Sequence, residues 1–247
     1  MKKLINRIKY WLGIVPKWNK CRLASCWDGN DAERRMMNIL SPKFTDAKFK
    51  EYVKWMKGRG CDTAHVIFQN GGDGEGAGYS VLDDGGKLAS KRIKELRLEG
   101  FAIVGWLTTD DSGAYNRALF ASPLSYVNAL NDCGLFRHCS YVVLGLEMNE
   151  CGEFAQWRGV QQAVKAVIPK MKLGVHHTNG NYSMASLGDI VLDQISPRLA
   201  NKRSVQAAIG KILAMGKAAV GFEYSRHPDR ELAQAALDAG AFGCGNW

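Results

Sequence analysis

The chain has 247 residues, 46% of them hydrophobic and 23% charged, a balance that excludes wholesale disorder. Its length is enough for one large α/β domain that buries roughly 70 to 75% of its unfolded surface. The seven cysteines are odd in number and show no CxxC spacing, which excludes a disulfide framework or zinc site and fits synthesis in a reducing, cytoplasmic compartment.

Charge is uneven along the chain. Residues 1–60 hold fifteen Lys and Arg against five Asp and Glu, an excess of +10, so the remaining 187 residues sum to −1 of the total of +9. The first residues, MKKLINRIKYWLGIVPK, begin like a secretion signal, but Arg7 and Lys9 interrupt the apolar core that such a signal needs. They read as mature structure. No run approaches the ~18 to 20 apolar residues of a membrane span.

Leu4, Ile5, Ile8, Trp11, Leu12 and Val15 form one helical stripe over residues 2–15, with Lys2, Lys3, Arg7 and Lys9 elsewhere on the wheel, and Pro16 ends it. Such a helix suits packing on the domain body, or, as the sharper alternative, a membrane interface. A strand-then-helix rhythm follows. Arg22–Trp27 is the first predicted strand; Asp46–Lys57 is a helix with Phe49, Tyr52, Val53 and Met56 inward. Thr63–Gln69 is the second strand, Leu88–Glu99 a helix closed by Gly100, and Ala102–Leu107 the third strand. Ser122 and Pro123 open a helix that Gly134 closes.

Tyr141–Leu144 begins the fourth strand, whose stretch YVVLGLEMNE runs from apolar residues into Glu147, Asn149 and Glu150. A helix bearing Val160, Ala163, Val164, Val167 and Ile168 leads to the fifth strand, Lys172–His176, and, past a short helical segment, to the sixth, Ile190–Ile195. Ser204–Met215 is a helix, Ala218–Phe222 the seventh strand, and a helix opened by Pro228 precedes the eighth strand, Ala241–Cys244.

Eight strands with seven intervening helices predict an α/β fold, a single (β/α)8 barrel over 1–247. The eighth outer helix is missing, and the N-terminal helix is the candidate to fill that position. It would then stand beside the first outer helix and gather the basic excess of residues 1–60 into one sector of the wall, a surface for an acidic partner or an anionic surface. No module or motif points to specific nucleic-acid binding.

In such a barrel the site lies at the strand ends. These are polar and aromatic here: Trp27 and Asp28; Gln69 and Asn70; Thr108–Asp111; Asn149 and Glu150; His176, His177 and Asn179; Asp193 and Gln194; Glu223, Tyr224 and Arg226; Asn246 and Trp247. Two carboxylates, Glu150 and Glu223, each end a hydrophobic strand in an otherwise uncharged run. A pair across a barrel mouth suits glycoside hydrolysis, one protonating the leaving oxygen and the other attacking the anomeric carbon.

Asn149-Glu150 on the fourth strand with Glu223 on the seventh resembles the signature of the clan A, cellulase-like retaining glycoside hydrolases. The resemblance implies Glu150 as acid/base, Asn149 as ligand of a sugar 2-hydroxyl and Glu223 as nucleophile. It also implies His176 or His177 as a substrate contact and Trp247 as a sugar platform, with Trp27, Tyr224 and Arg226 as further substrate-binding candidates. Cys151 stands where a proline often follows the Asn-Glu pair, and no arginine is evident near the second strand; Arg226 or Arg198 is the candidate for charge control of the nucleophile. Retention requires carboxyl groups ~5 to 5.5 Å apart and an acid raised toward ~6.

Period-2 alternation puts Gly145, Glu147 and Asn149 on one face, which makes Glu147 the rival to Glu150 as acid/base. The Gly-rich loop 71–86 lacks a phosphate-loop GK[ST] and an EF-hand pattern, and reads as substrate cover or linker. His65, His176, His177 and Asp193 lack the HxH and final Asp of an amidohydrolase-like metal site. No metal and no cofactor are expected. The expected function is a retaining glycoside hydrolase of a poly- or oligosaccharide, such as a bacterial cell-wall or surface glycan, with release by lysis or on a particle. The alternative is a catalytically silent barrel that binds glycan or docks a protein.

Overall fold

A computed structural model describes residues 2–22, 38–72, 75–224 and 230–245. Its elements, in order, are α1 (Lys2–Trp11), α2 (Asp46–Gly58), β1 (Thr63–Ile67), β2 (Gln69–Asn70), β3 (Tyr79–Ser80), α3 (Lys87–Glu99), β4 (Ala102–Trp106), α4 (Gly113–Ala121) and α5 (Pro123–Asp132). There follow β5 (Cys139–Val143), α6 (Phe154–Val167), β6 (Leu173–Thr178), β7 (Ile190–Gln194), α7 (Lys202–Ala214), β8 (Ala218–Gly221), α8 (Arg230–Asp238) and β9 (Gly243–Cys244).

Seven strands form one curled sheet in the order β1-β4-β5-β6-β7-β8-β9, with every neighbouring pair parallel. The chain at Arg22 lies in the remaining slot. Its carbonyl accepts from Cys244 N–H at 2.9 Å and its own N–H donates to Asp62 Oδ1 at 3.0 Å, so it touches both β9 and the residue just before β1. Arg22 is the first residue of the predicted first strand; its residues 23–27 lie outside the described ones.

Alternation along the strands sorts two apolar layers. Val104, Trp106, Tyr141, Val143, Leu192, Val220 and Phe222 fill the barrel interior. Ile103, Val142, Val175 and Val191 face outward and pack with Ile93, Leu96, Val160 and Ile209 of the helices. Two buried imidazoles share the interior. His65 accepts a hydrogen bond from Trp106 Nε1 at 3.0 Å and stacks on Phe222, while His176 lies edge-on to Trp106 and Phe222. Burial pushes His65 down to about 3 and His176 well below its ordinary value, so both rings are neutral at physiological pH.

The structure adds elements where the sequence offered only loop signals. Helix α4 follows β4, and the Gly-rich stretch carries a small antiparallel hairpin, β2 with β3, pinned by Tyr79 donating to the Ile67 carbonyl at 2.8 Å. Buried Arg92 of α3 holds the segment before α2 by donating to the carbonyls of Ile39, Ser41 and Phe44.

Helix α1 departs from its expected place. It packs across the carboxyl end of α3, with Asn6 donating to the Leu98 carbonyl, Lys3 paired with Glu99 and Tyr10 stacked on His138, rather than in the gap between the last strand and the first. The reason is that its polar face does the docking. Leu4, Ile5, Ile8, Trp11 and Leu12 all face solvent. The basic sector is retained in part, because Glu99 binds both Lys3 of α1 and Lys57 of α2. Among the described residues no helix is long and apolar enough to cross a membrane.

Candidate active site

The carboxyl ends of the strands converge on His176. Its Nδ1 accepts the Glu147 backbone N–H at 2.9 Å, so Nδ1 carries no proton and the ring hydrogen sits on Nε2. That nitrogen faces Glu223 Oε2 at 4.0 Å. The imidazole therefore spans the ends of β5 and β8. Because the ring is neutral, the Glu223 contact is dipolar rather than an ion pair.

Three non-glycine residues among those described have positive φ: Glu147 at 46°, Asn179 at 51° and Glu223 at 56°. All three follow barrel strands. Asn tolerates this region through its short polar side chain; Glu does not, and each glutamate carries a strain of about 1 kcal/mol or more. Both glutamates stand in loops just past the carboxyl ends of their strands, Glu147 after β5 and Glu223 after β8. Gly145 makes the path to Glu147 feasible, since a Cβ there would stand 2.4 Å from the Trp157 ring.

Glu147 is half-buried, and its Oε1 accepts from Gln194 Nε2 at 2.7 Å. Asp110, in the loop past β4, lies close enough for the two carboxyls to act on each other. Burial and then the Glu147 charge push Asp110 up to about 8, and burial raises Glu147 as well. Two carboxyls this close retain one proton between them near neutrality.

Glu150 lies farther out. It is exposed, and its carboxylate accepts from Thr178 Oγ1 at 2.5 Å. Asn149 spends both ends of its amide on the same threonine, donating to Oγ1 at 2.9 Å and accepting the Thr178 N–H at 3.0 Å. This lock ties the loop after β5 to the end of β6 and leaves the amide one N–H and one lone pair.

His177, by alternation, points away from His176 into the outer layer, fully buried against Tyr182, and burial lowers it to about 4. Tyr224 is likewise buried, beside Asp193, whose Oδ1 accepts from Tyr182 at 2.7 Å and which burial raises to about 6. Both expected substrate contacts are thus closed off from the mouth. Arg198 is exposed beyond β7. Trp27, Arg226 and Trp247 lie outside the described residues.

Asp110, Gln194 and Thr178 are the site residues without a role assigned from sequence. Asp110 and Gln194 stand at strand ends, which was their only signal; Thr178 had none. A second network, Asn70 with Asn38, Thr109 and Ser112, braces the rim between β1 and β4. No group of three His, Cys, Asp or Glu side chains among the described residues is disposed to hold a metal ion.

No family model matches the sequence, and no curated protein does. Solved structures do match in fold. A glycoside hydrolase family 5 structure from Bacteroides vulgatus superposes with a TM-score of 0.65 at 14% identity, covering 91% of this chain and 57% of that one. The family 53 catalytic domain of Ignisphaera aggregans gives 0.52 at 14% over 91% and 79%, and a family 113 β-1,4-mannanase 0.52 at 12% over 80% and 82%. The chain thus spans little more than half of the family 5 structure but about four-fifths of the other two. Its fold is a (β/α)8 barrel, like that of these glycoside hydrolase structures.

Proposed function

We propose that the chain is a glycoside hydrolase that cleaves a poly- or oligosaccharide by retaining double displacement, with Glu223 as nucleophile and Glu147, in place of Glu150, as acid/base. The observation that carries this reading is that His176 bridges the two loops, its Nδ1 accepting the Glu147 backbone N–H and its Nε2 facing the Glu223 carboxylate, with both glutamates held at positive φ. Strain of this kind persists only where the surroundings enforce it, and it gathers at active sites.

The roles follow from proton placement. A nucleophile must be ionised, and Glu223 faces the Nε2–H end of a neutral imidazole, a dipole that favours its carboxylate. A general acid must arrive protonated, and burial raises the Glu147 carboxyl above its ordinary range, beside an Asp110 that burial and the Glu147 charge raise in turn. Glu147 gives its proton to the leaving oxygen as Glu223 bonds to the anomeric carbon. The resulting carboxylate then takes a proton from the water that attacks the glycosyl-enzyme bond, which restores Glu147 as an acid and frees Glu223. A bacterial cell-wall or surface glycan is the substrate class this reading favours. Thr178, Asn149 and Gln194 act as positioning residues.

A panel of polysaccharides and aryl glycosides tests the proposal. Glu223→Gln should abolish turnover of all substrates, and product released by the wild type should keep the anomeric configuration of the substrate. Full activity in Glu223→Gln, or inverted product, would overturn it.

A further inference from the structure

Helix α1 is seated backwards for an amphipathic helix. Lys3, Asn6 and Tyr10 meet the barrel, through Glu99, the Leu98 carbonyl and the His138 ring, while Lys94 lies over Tyr10. At 100° per residue these three positions centre opposite the apolar stripe. That stripe is left in solvent: Leu4 is 61% exposed, Ile8 50%, Trp11 78% and Leu12 68%. Exposed Arg7 borders it on one side and exposed Lys9 on the other.

We infer that this face is a docking surface for an anionic lipid bilayer. Large apolar side chains including a Trp, bordered by cations along both edges, match the chemistry of an interfacial helix lying in the headgroup plane. Charge selects this occupant over a second copy of the chain. Residues 1–27 contain seven Lys and Arg and no Asp or Glu, so pairing two such helices would set cation against cation. The one acidic group at the seat of α1, Glu99, is already shared between Lys3 and Lys57. An anionic headgroup layer, by contrast, strengthens with each cation by about fivefold in partition.

The seat also fixes orientation. The carboxyl end of α3 and His138 precede β4 and β5, so α1 lies toward the amino-terminal end of the barrel, and Glu147 and Glu223 follow strands at the opposite end. A chain bound through α1 presents its mouth away from the bilayer.

The test is co-sedimentation of the full chain with vesicles of phosphatidylcholine, alone or with about 30 mole per cent phosphatidylglycerol. Binding should require the anionic lipid and weaken as salt rises. Arg7→Gln with Lys9→Gln should lower the partition about 25-fold, at about fivefold per cation. Ile8→Ser with Trp11→Ser should abolish binding while melting temperature stays unchanged, since both side chains stand in solvent. Equal binding to both vesicles, binding to neither, or full binding by the Ile8/Trp11 variant would overturn the inference. So would a concentration-dependent dimer that the same variant dissolves, which would assign the face to a second copy.

Discussion

Glu147 and Glu223 share a backbone conformation that a glutamate rarely adopts, and burial raises the Glu147 carboxyl as well. Their positive φ is a property of the folded barrel and leaves no mark in the sequence, which is why Glu147 and Glu150 could not be separated by pattern alone. The separation comes from burial and partners: Glu147 beside Asp110, Gln194 and His176, Glu150 in solvent on Thr178. A pH signature belongs to this scale. Asp110 titrates at about 8 in the folded chain against about 3.9 unfolded, so the folded state binds the extra proton and stability falls as pH rises through that window. Asp193, raised to about 6, adds the same sign below pH 6. Between pH 6.5 and 8 the Asp110–Glu147 pair contributes this sign at up to about 1.4 kcal/mol per pH unit for one proton, against the opposite contribution of the neutral imidazoles of His65, His138, His176 and His177, so it is read as a difference between wild type and variant. Stability curves of Asp110→Asn should rise more steeply with pH than those of the wild type across this range; identical slopes would contradict the shared proton.

At the level of elements, strands β4 to β8 were legible because each is a short apolar run between turn residues, and alternation assigns their faces. The β2–β3 hairpin and α4 were not. The hairpin has two residues per strand, below any periodic signal, and α4 presents only Asn116 and Leu119 to the interior. Helix α1 was legible as amphipathic but misplaced, since periodicity says which face is apolar and not which face docks. Deleting residues 1–16 should therefore leave a folded, soluble barrel with its melting temperature lowered by only a few degrees, because the apolar stripe is not part of the core; aggregation on deletion would show otherwise. Buried Arg92 behaves in the opposite way. Arg92→Met leaves three carbonyls without their donor, and chemical denaturation should register a loss of about 2 to 4 kcal/mol. Gly145→Ala should destabilise the chain too, by forcing a Cβ against Trp157, and should reduce any hydrolytic activity by shifting the turn that carries Glu147.

Across the whole molecule, a curled parallel sheet brings the ends of β4, β5, β6 and β8 to one mouth, so residues far apart in the chain, Asp110, Glu147, His176 and Glu223, become neighbours. Strand counting was sufficient to anticipate that the strand ends gather at one mouth. It could not reveal that Asn149 and Glu150 are tied to Thr178, because that lock depends on how the loop after β5 meets the end of β6. The most direct test of the account compares Glu147→Gln and Glu150→Gln on two substrates: a polysaccharide that the wild type cleaves and an aryl glycoside with a good leaving group, which needs little protonation. The account predicts that Glu147→Gln loses about 10²- to 10⁴-fold on the polysaccharide and far less in bond cleavage of the aryl glycoside, while Glu150→Gln stays near wild type on both. The reverse pattern, with Glu150→Gln selectively disabled on the polysaccharide, would contradict it.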